Sequence, residues 1–236
     1  MPVFALWSAP RARSTAFFRS MVERGDMVAV HEPLSDLVGL GETDVDGRPF
    51  NSVASFLEWL RDETSDLRVF LKDTPNRRHR DVFADQGFVA DTRHAFLIRR
   101  PEEIAASFYA VEPSMDIDSI GLETLLEFHT AVRDAGGSDP IVIDSDDLVA
   151  RPAVTMAAYC AAVGLPFMPR ALTWEPGQRT EWRRSARWHL DVSASSGFEL
   201  QERTYTRTVD TSDELALFAA HHQPFYDALY AQRLVV

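Results

Sequence analysis

The sequence predicts an α/β fold: a mostly parallel central sheet flanked by helices, opened by a strand, a loop and a helix laid out like a phosphate-binding loop. Three observations carry this. Short apolar runs alternate along the chain with segments of helical periodicity, the pattern of a right-handed, doubly covered sheet. The runs Ala95-Phe96-Leu97-Ile98 and Ile141-Val142-Ile143 are continuously apolar, as strands buried on both faces are. The most polar loops follow the first four runs, at the strand ends where such sheets bind ligands.

With 236 residues the chain is long enough for one domain whose core needs no staples, so residues 1–236 are read as a single domain, with 167–211 as a covering lid. Charge or proline interrupts the apolar segments every few residues, which argues against disorder and membrane spans. A formal charge of −12 argues against general nucleic-acid binding, so an anionic ligand needs local arginines and lysines. Cys160 is the sole cysteine, which excludes an intramolecular disulfide and a cysteine metal cluster, and its Ala-rich surroundings suit a small buried residue. The first strand begins almost at Met1, leaving no room for a signal peptide, and a cytoplasmic location is the expectation.

The elements follow in order. Residues 3–7 form the first strand, then a loop carrying Arg11, Arg13, Ser14 and Thr15 enters a helix. The unpaired N–H groups and dipole of that helix start make the loop an anion site. Residues 27–30 form a second strand ending at His31-Glu32-Pro33, where the proline is expected to stop regular structure. Residues 39–49 read as a surface loop, and Asn51 or Ser52 caps a helix running to about Arg61. A third strand over 67–71 ends on Lys72-Asp73-Thr74-Pro75, and a helix follows over 77–84, bringing Arg77 and Arg78 near Lys72.

The fourth strand, 95–98, ends on Arg99-Arg100-Pro101. Pro101 with Glu102 and Glu103 is a helix-start signal, and Ser119 is expected to cap a longer helix that closes at Gly136-Gly137. A fifth strand over 141–143 precedes Asp144-Ser145-Asp146-Asp147, read as a solvated helix approach. Pro152 opens the next helix and Gly164 ends it. Trp174, Trp182 and Trp188 are interleaved with Arg179, Arg183, Arg184 and Arg187, which suits a segment folded over the ligand edge. An amphipathic helix over about 212–234 closes the chain.

The triphosphate loop G-x-x-x-x-G-K-[ST] is excluded, since Ser8 and Arg13 stand at the glycine positions and no lysine precedes Thr15. The stretch from Trp7 through Phe17 resembles instead the 5′-phosphosulfate loop of sulfotransferases that use 3′-phosphoadenosine 5′-phosphosulfate (PAPS). There an aromatic residue, a proline, a Lys or Arg and Ser/Thr residues follow the first strand. Phe96 through Tyr109 is similar to the same family's 3′-phosphate segment: an apolar strand, Arg99, any residue, Pro101, and Ser107 six residues after that proline. The spacing has a physical reason, because Arg99 leaves the strand end as a fork and Ser107, two turns into the helix, faces back toward it. Weaker similarity runs through Asp146-Asp147-Leu148, Pro152 and Gly164-Leu165-Pro166. The part from Trp188 to Phe198 looks like a bacterial subgroup.

The resemblance implies sulfuryl transfer from PAPS to a hydroxyl or amine of a small-molecule acceptor, with no metal and with a homodimer left open. It places Arg11, Ala12, Arg13, Ser14 and Thr15 around the 5′ end of the donor and Arg99 with Ser107 at its 3′-phosphate. Three departures stand out. Arg13 occupies a position usually held by glycine, the basic Arg-Lys-Gly segment near the C-terminus is missing, and Thr74 stands where many members have a histidine base. For the second, Arg183, Arg184, Arg187, Ser193, Ser195 and Ser196 are the substitutes considered, with Arg184 chosen. For the third, Glu32 is expected to be the base, with His31 as its orienting partner or the base itself, Asp73 as a further candidate, and Lys72 at the leaving oxygen. A repurposed anion-binding protein and a metal-dependent nucleotide kinase or hydrolase are the alternatives.

Overall fold

The computed structural model describes residues 3–62, 67–75, 79–199 and 204–236. In chain order its strands are β1 (Val3–Ser8), β2 (Val28–His31), β3 (Thr43–Val45), β4 (Arg48–Phe50), β5 (Val69–Asp73), β6 (Arg93–Ile98) and β7 (Ile141–Asp144). Among the described residues five of them form the central sheet, in the order β2-β5-β1-β6-β7, all neighbours parallel. Strand β1 lies at its centre and is buried along its whole length. Trp7, at 0 % exposure, donates its indole N–H to His94 Nδ1 at 2.9 Å and packs against Phe83, so the strand end that feeds the first loop is fixed from below.

The helices are α1 (Ser14–Arg24), α2 (Pro33–Leu40), α3 (Val53–Asp62), α4 (Arg80–Ala84), α5 (Gln86–Asp91), α6 (Pro101–Tyr109), α7 (Leu122–Asp134), α8 (Ser145–Ala150), α9 (Pro152–Val163), α10 (Leu190–Ala194) and α11 (Asp213–Tyr230). Phe17 of α1 meets Tyr159 of α9 edge to face at 4.9 Å, while α11 packs against α6 and α7. The carboxyl ends of β1, β2, β5 and β6 open toward one edge, and part of the segment expected to form a lid, a run of 3₁₀ turns (Thr180–Trp188) followed by α10, lies beside it.

Several local expectations change. Pro33 does not stop regular structure but opens α2, where its missing N–H has no helical partner to lose. The predicted loop over 39–49 contains the end of α2 and a β3–β4 hairpin. Its turn is Asp46-Gly47, with φ of 51° and 84°, the two left-handed residues a two-residue hairpin needs. Helix α5 was not anticipated; Asp85 caps it by accepting from Phe88 N at 2.9 Å.

Ser119 does not cap the long helix. It joins Asp116 in a capping box around the 3₁₀ turn Ile117–Ile120, and α7 starts after a left-handed Gly121. The predicted start of a helix at Arg77, together with Arg78, lies outside the described residues. Asp144 is not solvated: it is buried, caps α8 by accepting from Asp146 N at 2.8 Å, and accepts from the Tyr226 hydroxyl at 2.9 Å. Finally, α11 stops at Tyr230 because the tail turns back, and Leu234 N donates to Val142 O at 2.8 Å along the edge of β7. Among the described residues no helix is long and apolar enough to cross a membrane.

Candidate active site

A cavity of about 390 Å³ opens at the carboxyl edge of the sheet. Its floor is the loop from β1 to α1. Arg11 and Arg13 both adopt left-handed backbone, at φ 57° and 64°, and Arg13 is the residue immediately before α1. Ser14 and Thr15 follow as the first residues of α1, whose N–H groups have no partner within the helix, the arrangement that gathers an anion. The position of Arg13 therefore has a conformation that suits glycine, which accounts for glycine in the resembling loop. The arginine side chain adds anchors: Nη1 donates to Asp146 Oδ1 at 2.7 Å and to Ser145 Oγ at 3.1 Å, and Nη2 lies 3.6 Å from Glu103. Ala12 is fully buried, so it contributes backbone and fit, while Arg11, Arg13, Ser14 and Thr15 line the cavity.

The second predicted stretch meets the first. Arg11 Nε donates to Ser107 Oγ at 3.0 Å, and Arg99 Nη1 donates to the Arg11 carbonyl at 2.8 Å. Arg99 is held by Glu103 Oε2, 2.7 Å from its Nε, so its fork is oriented before any ligand arrives. Arg99 and Ser107 both line the cavity.

At the ends of β2 and β5, the parallel register sets His31 opposite Lys72, and Glu32 N donates to the Lys72 carbonyl at 2.6 Å. Glu32 has φ 50°, a left-handed turn that directs its carboxylate onto the Lys72 ammonium in a short ion pair. The Thr74 hydroxyl closes the triangle, 3.3 Å from Glu32 Oε1 and 3.3 Å from Lys72 Nζ. Burial pushes the Glu32 carboxyl up, but the Lys72 charge and hydrogen bond outweigh it and hold the group well below the usual carboxylate range. Glu32 is thus ionised at neutral pH, and its Oε1 is taken up by Lys72 and Thr74, which suits it to a neighbouring-charge role.

The other candidates for the base change as well. His31 is buried under Glu32, 3.8 Å from its Oε2 and edge-on to Phe18, and it does not line the cavity. Burial lowers its pKa to about 4, so it is a neutral packing residue. Asp73 is fully buried and serves as a cap for α2 from a distance, accepting from Leu34 N at 2.8 Å, Ser35 N at 3.2 Å and Ser35 Oγ at 2.5 Å. Lys72 pairs with Glu32, not with Asp73.

Arg184 does not reach the cavity. Its guanidinium lies 3.5 Å from Asp36 and 3.4 Å from Glu42, tying the lid to α2 and its end. Of the three lid tryptophans, Trp188 lines the cavity against Phe108, whereas Trp174 and Trp182 are buried packing. The lid reaches the loop through Arg11, which donates to the Trp188 carbonyl at 2.7 Å and lies 3.8 Å from Asp191.

His189 carries no motif in the sequence that marks it as a site residue. It lines the cavity with Nδ1 2.8 Å from Thr15 Oγ1, and its place directly after Trp188 in a stretch already read as a lid was the available signal. Donor atoms of His31, Glu32 and His189 lie within 4.8 Å of one another, a spacing that metals use, but the Lys72 ammonium bonded to Glu32 already sets a positive charge there.

Comparison with known proteins fits this geometry. Two Arabidopsis thaliana proteins named branched-chain-amino-acid aminotransferase-like protein 2 and 1 are 28 % and 29 % identical over 219 and 217 residues, covering 86 % and 87 % of this chain. The chain spans only 37 % and 38 % of those relatives. Among solved structures, a sulfotransferase from Alicyclobacillus acidocaldarius matches with TM-score 0.53 and 12 % identity, over 99 % of this chain and 97 % of that one. The sulfotransferase domain of the Synechococcus PCC 7002 olefin synthase matches with TM-score 0.52 and 13 % identity, over 100 % and 96 %. At such identities these likenesses speak for the fold. The sulfotransferase-domain family model matches residues 60–233, which includes Lys72, Arg99, Ser107 and His189 and leaves the opening loop outside. With that match spanning most of its length, the chain belongs to the sulfotransferase-domain family.

Proposed function

We propose that this protein transfers a sulfuryl group from PAPS to a hydroxyl or amine of a small-molecule acceptor. The observation that carries the reading is the direct linkage of two anion-binding segments on one cavity wall. Arg11 of the opening loop bonds Ser107 and is held through its carbonyl by Arg99. A nucleotide bearing phosphates at its 3′ and 5′ positions is a ligand with two anionic ends for such a wall. Arg11, Arg13, Arg99 and Lys72 line the cavity beside Glu32, Asp191 and Glu199, so cationic groups outnumber carboxylates in the lining on a chain of net charge −12. Arg11, the N–H groups of Ser14 and Thr15, and their hydroxyls are the groups for the 5′ end, Arg99 and Ser107 for the 3′-phosphate. Preorganised donors aimed at developing negative charge are the main catalytic resource for such a transfer.

Glu32, Lys72 and Thr74 line the same cavity, with Glu32 beside His189. Lys72 supplies positive charge for the leaving oxygen, and Glu32 keeps that lysine in place. The kinase or hydrolase alternative is not favoured, since the triphosphate-loop lysine is missing and the family match is to sulfotransferase domains. Incubation of the purified protein with PAPS carrying labelled sulfate and a metabolite extract tests the reading. Label appearing in an acceptor only when intact protein is present is expected; binding of the nucleotide with no transfer to any fraction would refute it.

A further inference from the structure

The geometry points to His189 as the proton acceptor of the transfer, an inference that rests on the sulfuryl-transfer reading above. His189 faces the cavity, whereas His31 lies beneath it. Its two ring nitrogens each meet a hydroxyl: Nδ1 is 2.8 Å from Thr15 Oγ1 and Nε2 is 3.0 Å from Ser185 Oγ. Hydroxyls donate or accept, so the tautomer sets the direction of both bonds. With its proton on Nδ1 the ring donates to Thr15, which leaves the Thr15 O–H free to donate into the anion site. Nε2 then accepts from Ser185, whose side chain also lines the cavity. An acceptor hydroxyl or amine that displaces Ser185 from this nitrogen places its own proton on the Nε2 lone pair.

A second observation supports the assignment. Glu32 lies within the same 4.8 Å cluster and is kept ionised by Lys72, so an imidazolium formed at His189 faces a fixed carboxylate. Glu32 itself has one oxygen engaged by Lys72 and Thr74. The titratable and charged groups that face His189 are His31 and Glu32 from the end of β2, Lys72 from β5 and Arg11 from the loop. Burial, His31 and Lys72 lower its pKa to about 3, while Glu32 raises it; a bound polyanion acts in the same direction as Glu32. In the step itself, the acceptor oxygen or nitrogen forms a bond to sulfur as the bond from sulfur to the 5′-phosphate oxygen breaks. The leaving phosphate keeps the electron pair, and the acceptor proton passes to His189 Nε2.

The test compares His189→Asn and His189→Ala with wild type, measuring adenosine 3′,5′-bisphosphate binding, kcat and the pH profile. Loss of a general base predicts a fall in kcat of at least ~100-fold in both variants with nucleotide affinity retained, and partial rescue of His189→Ala by added imidazole. Glu32→Gln should move the acid limb of the kcat profile, which reports the substrate-bound enzyme, to lower pH, because the carboxylate that favours the imidazolium is gone. Should neither His189 variant fold, this profile decides alone. Near-wild-type kcat in His189→Asn, or an unmoved acid limb in Glu32→Gln, overturns the assignment while wild-type activity leaves the sulfuryl-transfer reading standing. A wild type that binds nucleotide and transfers nothing overturns both.

Discussion

Arg11 and Ser107, 96 residues apart in the chain, meet at 3.0 Å between guanidinium and hydroxyl, and this contact joins the loop after β1 to the helix after β6. The two segments are one structural unit, so in the proposed complex damage to either is felt at both ends of the nucleotide.

Arg99→Ala removes the fork that holds the Arg11 carbonyl and, in the proposed complex, a charged hydrogen bond to the 3′-phosphate. Affinity for adenosine 3′,5′-bisphosphate should fall by about 1.5–3 kcal/mol in a calorimetric titration, with a smaller loss for adenosine 5′-monophosphate. Equal losses for both ligands would place Arg99 in loop support alone.

Arg13 combines a left-handed backbone with side-chain bonds to Asp146 and Ser145. Arg13→Gly and Arg13→Ala both lose the bonds, but only alanine keeps the backbone cost. The glycine variant should be the more stable of the two by about 1 kcal/mol in urea denaturation. Identical stabilities would show that the left-handed turn is not what the position requires.

Arg184→Ala should leave nucleotide affinity unchanged within about 0.5 kcal/mol, since the side chain is about half exposed and pairs with Asp36 and Glu42 away from the cavity. A loss above about 1.5 kcal/mol in the same titration would return it to the binding site as a charged ligand contact.

The buried histidines give the fold an acid-sensitive edge. Burial lowers His31 and His94 to about 4 and His189 to about 3 from an ordinary 6.5. The unfolded chain therefore takes up protons as pH falls through 6.5 while the folded chain does not, and stability declines. Linkage gives roughly 0.7 kcal/mol for each of these three between pH 7 and pH 6, about 2 kcal/mol together. Asp36, which burial pushes up to about 6, begins to take up its proton within the same interval and acts in the opposite sense, so it offsets a minor part of the histidine effect there and more at lower pH. Urea denaturation at the two pH values measures the slope; a flat or rising stability on acidification would contradict it.

Much of this was legible in the sequence for identifiable reasons. The buried strands read as continuous apolar runs, and the Arg99–Ser107 spacing encodes a strand end followed by two helical turns. What escaped were contacts set by topology. Nothing local says that β2 and β5 are neighbours, so the Glu32–Lys72 pair was not foreseen. Pro33 was read as a stop because its role depends on Glu32 turning left-handed before it. His189 acquires its partners only when the lid folds across Thr15, 174 residues away.

The central claim is that one wall of this cavity binds both ends of a nucleotide phosphorylated at its 3′ and 5′ positions. Calorimetric titration of the folded protein with adenosine 3′,5′-bisphosphate, beside adenosine 5′-monophosphate, measures it directly. Saturable one-to-one binding of the bisphosphate is expected, at least ~10-fold tighter than the monophosphate, from one additional charge-assisted contact. No heat of binding, or equal affinity for the two, would contradict it.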